Sequence, residues 1–444
     1  MWRRRGRWAA VILPAIVIGG LSWCGWRWWD ARRYRDAMAR IEDAMQNGRF
    51  AVAARDLSAL LARRPESGRT AYLLGACEKA RGRAREADTA WARIRPDSPF
   101  NGQAVTGRMD LLLERGRLAD AEHLIQRATD APESEGSGLR MLLIPFFVQE
   151  GRGEEAERLI ELRWRNLDAK GEGASEQAIN LARLHMELRW NVPPLDSVRA
   201  YLDQVGRLAP DDDRIWLGRA NLAIRVGSHD EAARWIDACF RRRPDDRSVW
   251  RARLDWAMRT NRLADARTAL KRLPAQPATA AEVHRLSAWF AVACGDIESE
   301  RRELASLITE APEDFEALER LEKLEQPEAA KWVAAGLRRR RAEVERDQAR
   351  YRELYRRNQP ARDAEEMARL ADRLGHRFEA IVFLTAALAD EPDRADLRSA
   401  LHHIEEAVHG PDGTGRSLYD RLPTDCGGDG PLLGIEPGRR PSIP

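Results

Sequence analysis

A chain of 444 residues has room for two or three domains, and its 43% hydrophobic content can bury a core of that size. Aromatic residues at 7% with charged residues at 33% argue against an all-β sandwich and for a helical protein with a wide solvated surface. Lys and Arg total 74 against 71 Asp and Glu; the net charge of +3 excludes a strongly basic nucleic-acid binder, and five cysteines exclude a disulfide framework.

Residues 1–7 form a basic flank, with Arg3, Arg4, Arg5 and Arg7. From Trp8 to Trp26 no residue is charged, a stretch about long enough to span a ~30 Å hydrocarbon core. Trp2 and Trp8 at one end, and Trp23, Trp26, Trp28 and Trp29 at the other, suit the aromatic belts of a spanning helix. Residues 8–26 are therefore expected to be a transmembrane anchor contacting the lipid bilayer, and 27–35 a juxtamembrane linker. No small-x-small cleavage site follows, and Trp23 before Cys24 breaks the lipoprotein pattern. The tighter N-terminal arginine cluster predicts a single-pass membrane protein with the bulk of the chain extracytoplasmic (periplasmic). Arg27, Arg32, Arg33 and Arg35 on the other flank leave the reverse orientation open.

Beyond residue 35 the chain repeats. Gly48, Gly82 and Gly116 are spaced by 34 residues, and Gly151 follows at 35. Each is followed five residues later by Ala53, Ala87, Ala121 or Ala156, and four further on by Leu57, Trp91, Ile125 or Ile160. Gly227, Asn261 and Gly295 carry a second register of 34, with Ala232 and Ala266 at the same offset. A last copy reads Gly375, Ala380, Leu384, Pro392. Glycine or asparagine supplies the left-handed residue that ends one helix and turns into the next. The small alanine lets two helices approach closely, and proline punctuates the link between units. Each unit is thus expected to be a helical hairpin that buries its apolar face only by stacking on its neighbours.

The phase divides the chain into a first block of repeats (36–170), an irregular repeat with a polar insertion (171–212) and a second block (213–314). A degenerate repeat with a long charged helix (315–358), a last repeat (361–394), a capping helix (395–409) and a flexible Gly/Pro-rich tail (410–444) follow. Residues 163–177 read as a polar loop, and the double proline in 189–198 replaces a short turn. Glu300 stands where the small alanine belongs, which predicts that its hairpin opens or kinks. In the degenerate unit a short helix is expected over 315–325 and a long one over about 328–358.

The pattern resembles the tetratricopeptide repeat (TPR) family. Leu74, Gly75, Gly82, Ala87, Trp91 and Pro99 carry the resemblance in one copy, and Trp216, Gly227, Ala232, Ile236 and Pro244 in another. Gly375, Ala380, Leu384, Ala387 and Pro392 carry it in the last. The resemblance covers about residues 36–394. It implies an all-α, right-handed solenoid of about nine to ten hairpins, preceded here by the N-terminal transmembrane helix. It further implies a concave face lined by the first helix of each hairpin.

Signals for chemistry are weak. The segment Gly410 to Ser417 imitates a phosphate-binding loop, but Arg416 replaces the lysine and a helix with His402 and His403 precedes it. The eight histidines show no zinc-type spacing. Cys77, Cys239 and Cys294 fall one per repeat, as small core residues do, and Cys426 lies alone in the tail. The run Arg338, Arg339, Arg340, Arg341 is diluted by Glu343, Glu345, Asp347 and Glu353, while Leu337, Val344 and Tyr351 form a thin apolar seam. The reading is a non-enzyme with no cofactor, no metal and no nucleic-acid partner.

Aligning the copies places Arg214, Asn221 and Arg225 on the groove side of one first helix, Arg251, Asp255 and Arg259 on the next, and Arg285 with Trp289 on the third. Arginine with tryptophan favours binding hot spots. The arginines are expected to form one basic stripe that takes a protein or peptide partner with an acidic segment, anchored on Trp289. The family's clamp for a peptide C-terminal carboxylate is not reproduced, since Leu217 and Ala252 occupy partner positions beside Asn221. The functional reading is a membrane-anchored scaffold for protein–protein interaction in a bacterial envelope. The alternative is the non-catalytic half of a larger envelope enzyme or secretion system, with the tail as linker.

Overall fold

A computed structural model of the chain describes residues 28–29, 32–129, 136–273, 279–325 and 331–409, and all secondary structure among them is helical. In order these are α1 (residues 32–46), α2 (Phe50–Arg63), α3 (Gly68–Ala80), α4 (Ala84–Trp91), α5 (Asn101–Leu113), α6 (Leu118–Thr129), α7 (Gly136–Arg140), a 3-10 turn (Met141–Leu143), α8 (Ile144–Gln149), α9 (Gly153–Asp168), α10 (Glu176–Trp190) and α11 (Leu195–Leu208). There follow α12 (Asp213–Val226), α13 (His229–Arg242), α14 (Arg247–Arg259), α15 (Leu263–Arg272), α16 (Ala280–Cys294), α17 (Ile297–Glu310), α18 (Phe315–Leu324), α19 (Lys331–Arg357), α20 (Pro360–Arg373), α21 (Arg377–Asp390) and α22 (Ala395–His409). They belong to two compact units: unit 1 runs to Leu143 and adds Val205–Asp212, and unit 2 comprises Ile144–Gln204 and the chain from Asp213 onward.

The hairpin turns follow the 34-residue phase. Gly48, Gly82, Gly116, Gly151, Gly227, Gly295 and Gly375 all have φ between 70° and 81°, and Asn261 has φ 55°. At the first turn Arg49 N–H reaches back to Ala44 O at 2.8 Å and Gly48 N–H to Met45 O at 3.0 Å. That pair of bonds closes the open carbonyls of a helix end and needs the left-handed residue. The alanines five residues on are the closest-packed positions: Ala53, Ala87, Ala156, Ala232, Ala266 and Ala380 are fully buried.

In unit 1, Trp91 ends α4 and lies between two glycines. A Cβ at Gly75 of α3 would stand 2.3 Å from the indole Nε1, and one at Gly107 of α5 would stand 2.8 Å from Cη2. The indole N–H donates to Tyr72 O at 3.0 Å. In unit 2, α12 to α16 share a core of Leu217, Ile236, Leu254, Trp256, Leu286 and Phe290. α19 buries its expected seam residues Val344 and Tyr351, and α22 turns Leu397 and Ile404 inward.

Several expectations need correcting. No helix of the described residues is long and apolar enough to cross a membrane. The expectation of a single-pass membrane protein is therefore not retained; residues 8–26, on which it rested, lie outside the described residues, as do the basic flank and the tail 410–444 with its glycine-rich loop and Cys426. The polar loop expected over 163–177 is shorter. α9 continues to Asp168 because Trp164 and Leu167 add a buried face, and the Trp164 indole donates to Gly173 O at 3.3 Å. Glu300 does not open its hairpin. Its carboxylate is buried and takes two hydrogen bonds from Arg320 of α18, at 2.5 and 3.1 Å, while α17 runs unbroken. Cys77 and Cys239 are buried as expected, whereas Cys294 is half-buried.

Candidate partner-binding face

The candidate residues sit on α12, α14 and α16, the first helices of three successive hairpins. The starts of α14 and α16 are fixed by local caps. Asp246 accepts from Ser248 N–H at 2.8 Å before α14, and Thr279 accepts from Glu282 N–H at 3.1 Å before α16. Asp314 does the same for α18, accepting from Ala317 N–H at 3.0 Å.

These caps turn out to hold most of the arginines. Arg214 is buried and pairs with Asp246 at 2.8 Å. Burial opposes ionisation of Asp246, but Arg214 outweighs it and holds the carboxyl below the usual range. Arg285 pairs with Asp314 at 3.0 Å. Arg251 pairs with Glu282 in the first turn of α16, with Glu154 of α9 at 2.7 Å and with Asp255 at 3.5 Å. Burial alone would weaken the Arg251 proton, yet these three carboxylates strengthen its hold. Arginines near the start of one first helix thus reach the acid at the start of the next. In unit 1 a different pair links successive first helices: Lys79, in the last turn of α3, reaches Asp110, in the last turn of α5, at 3.1 Å.

The expected single basic stripe is consequently not formed. Arg214, Arg251 and Arg285 are spent on a ladder between repeats, and the Asn221 amide donates to Glu150 O at 2.7 Å. Sequence reasoning missed the acids of this ladder. Asp246, Glu282 and Asp314 lie about one repeat beyond their arginines, and that recurring offset was the available signal.

Two guanidinium groups are left over. Arg225 is half-buried, and among the described residues it makes a single long hydrogen bond, a donation to Pro193 O at 3.5 Å. Arg259, one repeat later, is exposed, and the carboxylate whose charge acts on it is Asp255, one turn earlier on α14 and already paired with Arg251. Burial and the Arg259 charge both lower the proton affinity of Arg225. Asp255, between Arg251 and Arg259 on α14, keeps 43% of its side chain accessible. Enclosure by surrounding protein, with Glu154 and Glu282 adding to it against Arg251 and Arg259, pushes its carboxyl up to about 6. Trp289 is half-buried, packs on the core and meets Phe290 edge-on with ring centres 5.0 Å apart.

The fold defines a protein of repeated helical hairpins. No protein-family model matches the chain, and no curated protein matches it. Among solved structures it is similar to the APC/C hetero-tetramer Cut9–Hcn1, at 13% identity over 76% of this chain and 63% of that one, with a TM-score of 0.29. It is also similar to yeast Tom70, at 12% identity over 84% and 96% of the two chains and a TM-score of 0.24. A tetratricopeptide repeat protein from Parabacteroides merdae shares 17% identity over 66% and 98%, with a TM-score of 0.25. These superpositions are too loose to assign a family; the repeat architecture rests on the chain's own hairpins.

Proposed function

We propose that the chain is a non-catalytic scaffold of TPR-like hairpins that binds another protein along the first helices α12, α14 and α16. The observation that carries this reading is the arginine pair. Arg225 and Arg259 occupy equivalent positions one repeat apart and repel one another, on a face where the other arginines are matched by acids. A carboxylate from a partner relieves that repulsion and accepts bidentate hydrogen bonds. The partner is an extended segment rich in Asp and Glu.

The test is fluorescence anisotropy with labelled 15-residue Asp/Glu-rich peptides and their Asn/Gln counterparts. Arg225→Gln with Arg259→Gln should weaken binding at least tenfold and leave the far-ultraviolet circular dichroism unchanged. Trp289 is a poorer probe, because its replacement also disturbs the core. Arg339→Glu with Arg340→Glu, on exposed positions of α19, serves as comparator. If that variant loses the peptide and the groove variant keeps it, the binding site is α19.

A further inference from the structure

Stacked hairpins are held by their chain neighbours, and unit 2 departs from that rule where α10 meets α21. His185 Nδ1 donates to Glu379 Oε1 at 2.9 Å across 194 residues of sequence. Arg189 Nη2 donates to the same oxygen at 2.8 Å. His376, just before α21, faces Arg189 Nη1, and its Nε2 lies 3.1 Å from Glu313 Oε1 in the α17–α18 turn. Arg189 Nη1 is 3.6 Å from that same Glu313 oxygen. From α19, Tyr351 stacks on His376 with ring centres 6.1 Å apart. Phe378 covers His185 at 4.9 Å between rings and meets Trp164 of α9 edge-on at 5.9 Å. α9 also brings Glu157, whose charge acts on His185, Arg189 and Glu379. Tyr355 adds an outer contact, its hydroxyl donating to Glu187 at 2.9 Å.

We propose that this junction is a proton-dependent clasp: protonated His185 holds α21 against α10, and loss of that proton releases the contact. The charge balance is the reason. His185 is 7% exposed and Glu379 fully buried. Three carboxylates, Glu379, Glu157 and Glu313, surround His185, Arg189 and His376, and Glu379 is held by His185 and Arg189 directly. Arginine keeps its charge at any pH of interest, so deprotonating His185 leaves one negative charge uncompensated in a low-dielectric site. The polar atoms are only partly satisfied. His185 Nε2, Arg189 Nε, the Tyr351 hydroxyl and Glu379 Oε2 have no hydrogen-bond partner among the described residues. Such a network gains hydration when it opens.

The titration runs in the matching direction. Burial lowers the proton affinity of His185, but the hydrogen bond and charge of Glu379 outweigh it, so its pKa lies above the usual 6.5. Glu379 is held down at about 2 against its own burial, by Arg189 first and then His185. A histidine raised on folding stabilises fully below its unfolded value, and that contribution is lost as pH rises through the raised folded value. The clasp therefore loosens upward from about pH 6.5.

The test is hydrogen exchange of the full chain across about pH 6 to 9, corrected for intrinsic exchange, with α12 to α15 as internal reference. Protection of α10 and α21 should fall with rising pH while the reference stays constant. His185→Gln, which keeps a donor but cannot titrate, should abolish that dependence. Glu157→Gln removes one carboxylate and should move the transition to lower pH. Protection of α10 and α21 that does not vary with pH in wild type overturns the proposal. So does a dependence that survives His185→Gln, or one lost only in His376→Gln. Should His185→Gln fail to fold, the ring signals of His185 in wild type, identified by their contacts with Phe378, decide the matter: a midpoint at or below 6.5 refutes the clasp.

Discussion

Gly75→Ala probes the closest helix approach in unit 1. The new methyl carbon would stand 2.3 Å from Trp91 Nε1 and 2.6 Å from Cδ1, so the indole must move. Trp91 is only 4% exposed, and on its far side Gly107 already leaves no slack, since even a Cβ there would lie 2.8 Å from the ring. Overpacking of this kind costs about 1–3 kcal/mol. Displacing the indole also breaks its hydrogen bond to Tyr72 O, worth about 1 kcal/mol. Alanine returns up to about 1 kcal/mol of helix propensity at an interior position. The net loss is about 1–3 kcal/mol, read as a lower urea midpoint by circular dichroism at 222 nm. Gly102→Ala, on the same α5 as Gly107, is the matched control: nothing lies within 4 Å of its Cβ, and its stability should hold or rise slightly. Increased hydrogen exchange should stay within α2 to α5. A Gly75→Ala protein as stable as Gly102→Ala would refute the clamp between the two glycines.

The other two predictions concern charges. Arg320→Ala strands the Glu300 carboxylate, whose side chain is 3% exposed, and should cost about 3–5 kcal/mol. Glu300→Ala leaves Arg320 free to reach water and should cost clearly less, with the double variant more stable than Arg320→Ala alone; urea titrations of all three give the comparison, and equal losses would contradict it. Asp255 binds its proton more tightly in the folded chain than the ordinary 3.8 implies, so its contribution falls as pH rises from about 4 through about 6. Asp255→Asn should remove that part of the fall in urea midpoint, and an unchanged pH profile would rule it out.

The turns and close approaches were legible because they depend on single residue types at fixed spacing. Only glycine or asparagine adopts the left-handed turn without strain, and only a small residue fits at Ala87 or Ala232. Helix ends were legible to within a few residues for the same reason: α18, α19 and α22 begin and end near their punctuation. Glu300 misled because a local pattern says nothing of a partner twenty residues away that can neutralise a buried carboxylate. The helices that carry the candidate residues, α12, α14 and α16, were legible in position, but the charge of their face was not. Whether Arg214 and Arg251 face a partner or an acid depends on which helix starts beside them, and spacing within one repeat does not contain that. The contact of His185 with Glu379 left no periodic trace, since it joins residues at unrelated positions of their repeats.

An open stack of hairpins tolerates gain or loss of a unit, because each addition meets only its neighbours. Unit 2 has no such freedom between α12 and α20. Removing one hairpin there would displace α21 by about one helix spacing, some 8–10 Å, relative to α10. Glu379 would then face neither His185 nor Arg189, and a carboxylate with no exposed surface would lose both cations. The number of repeats in this part of the molecule is therefore a fixed quantity, and variation in length is confined to the stretches outside it.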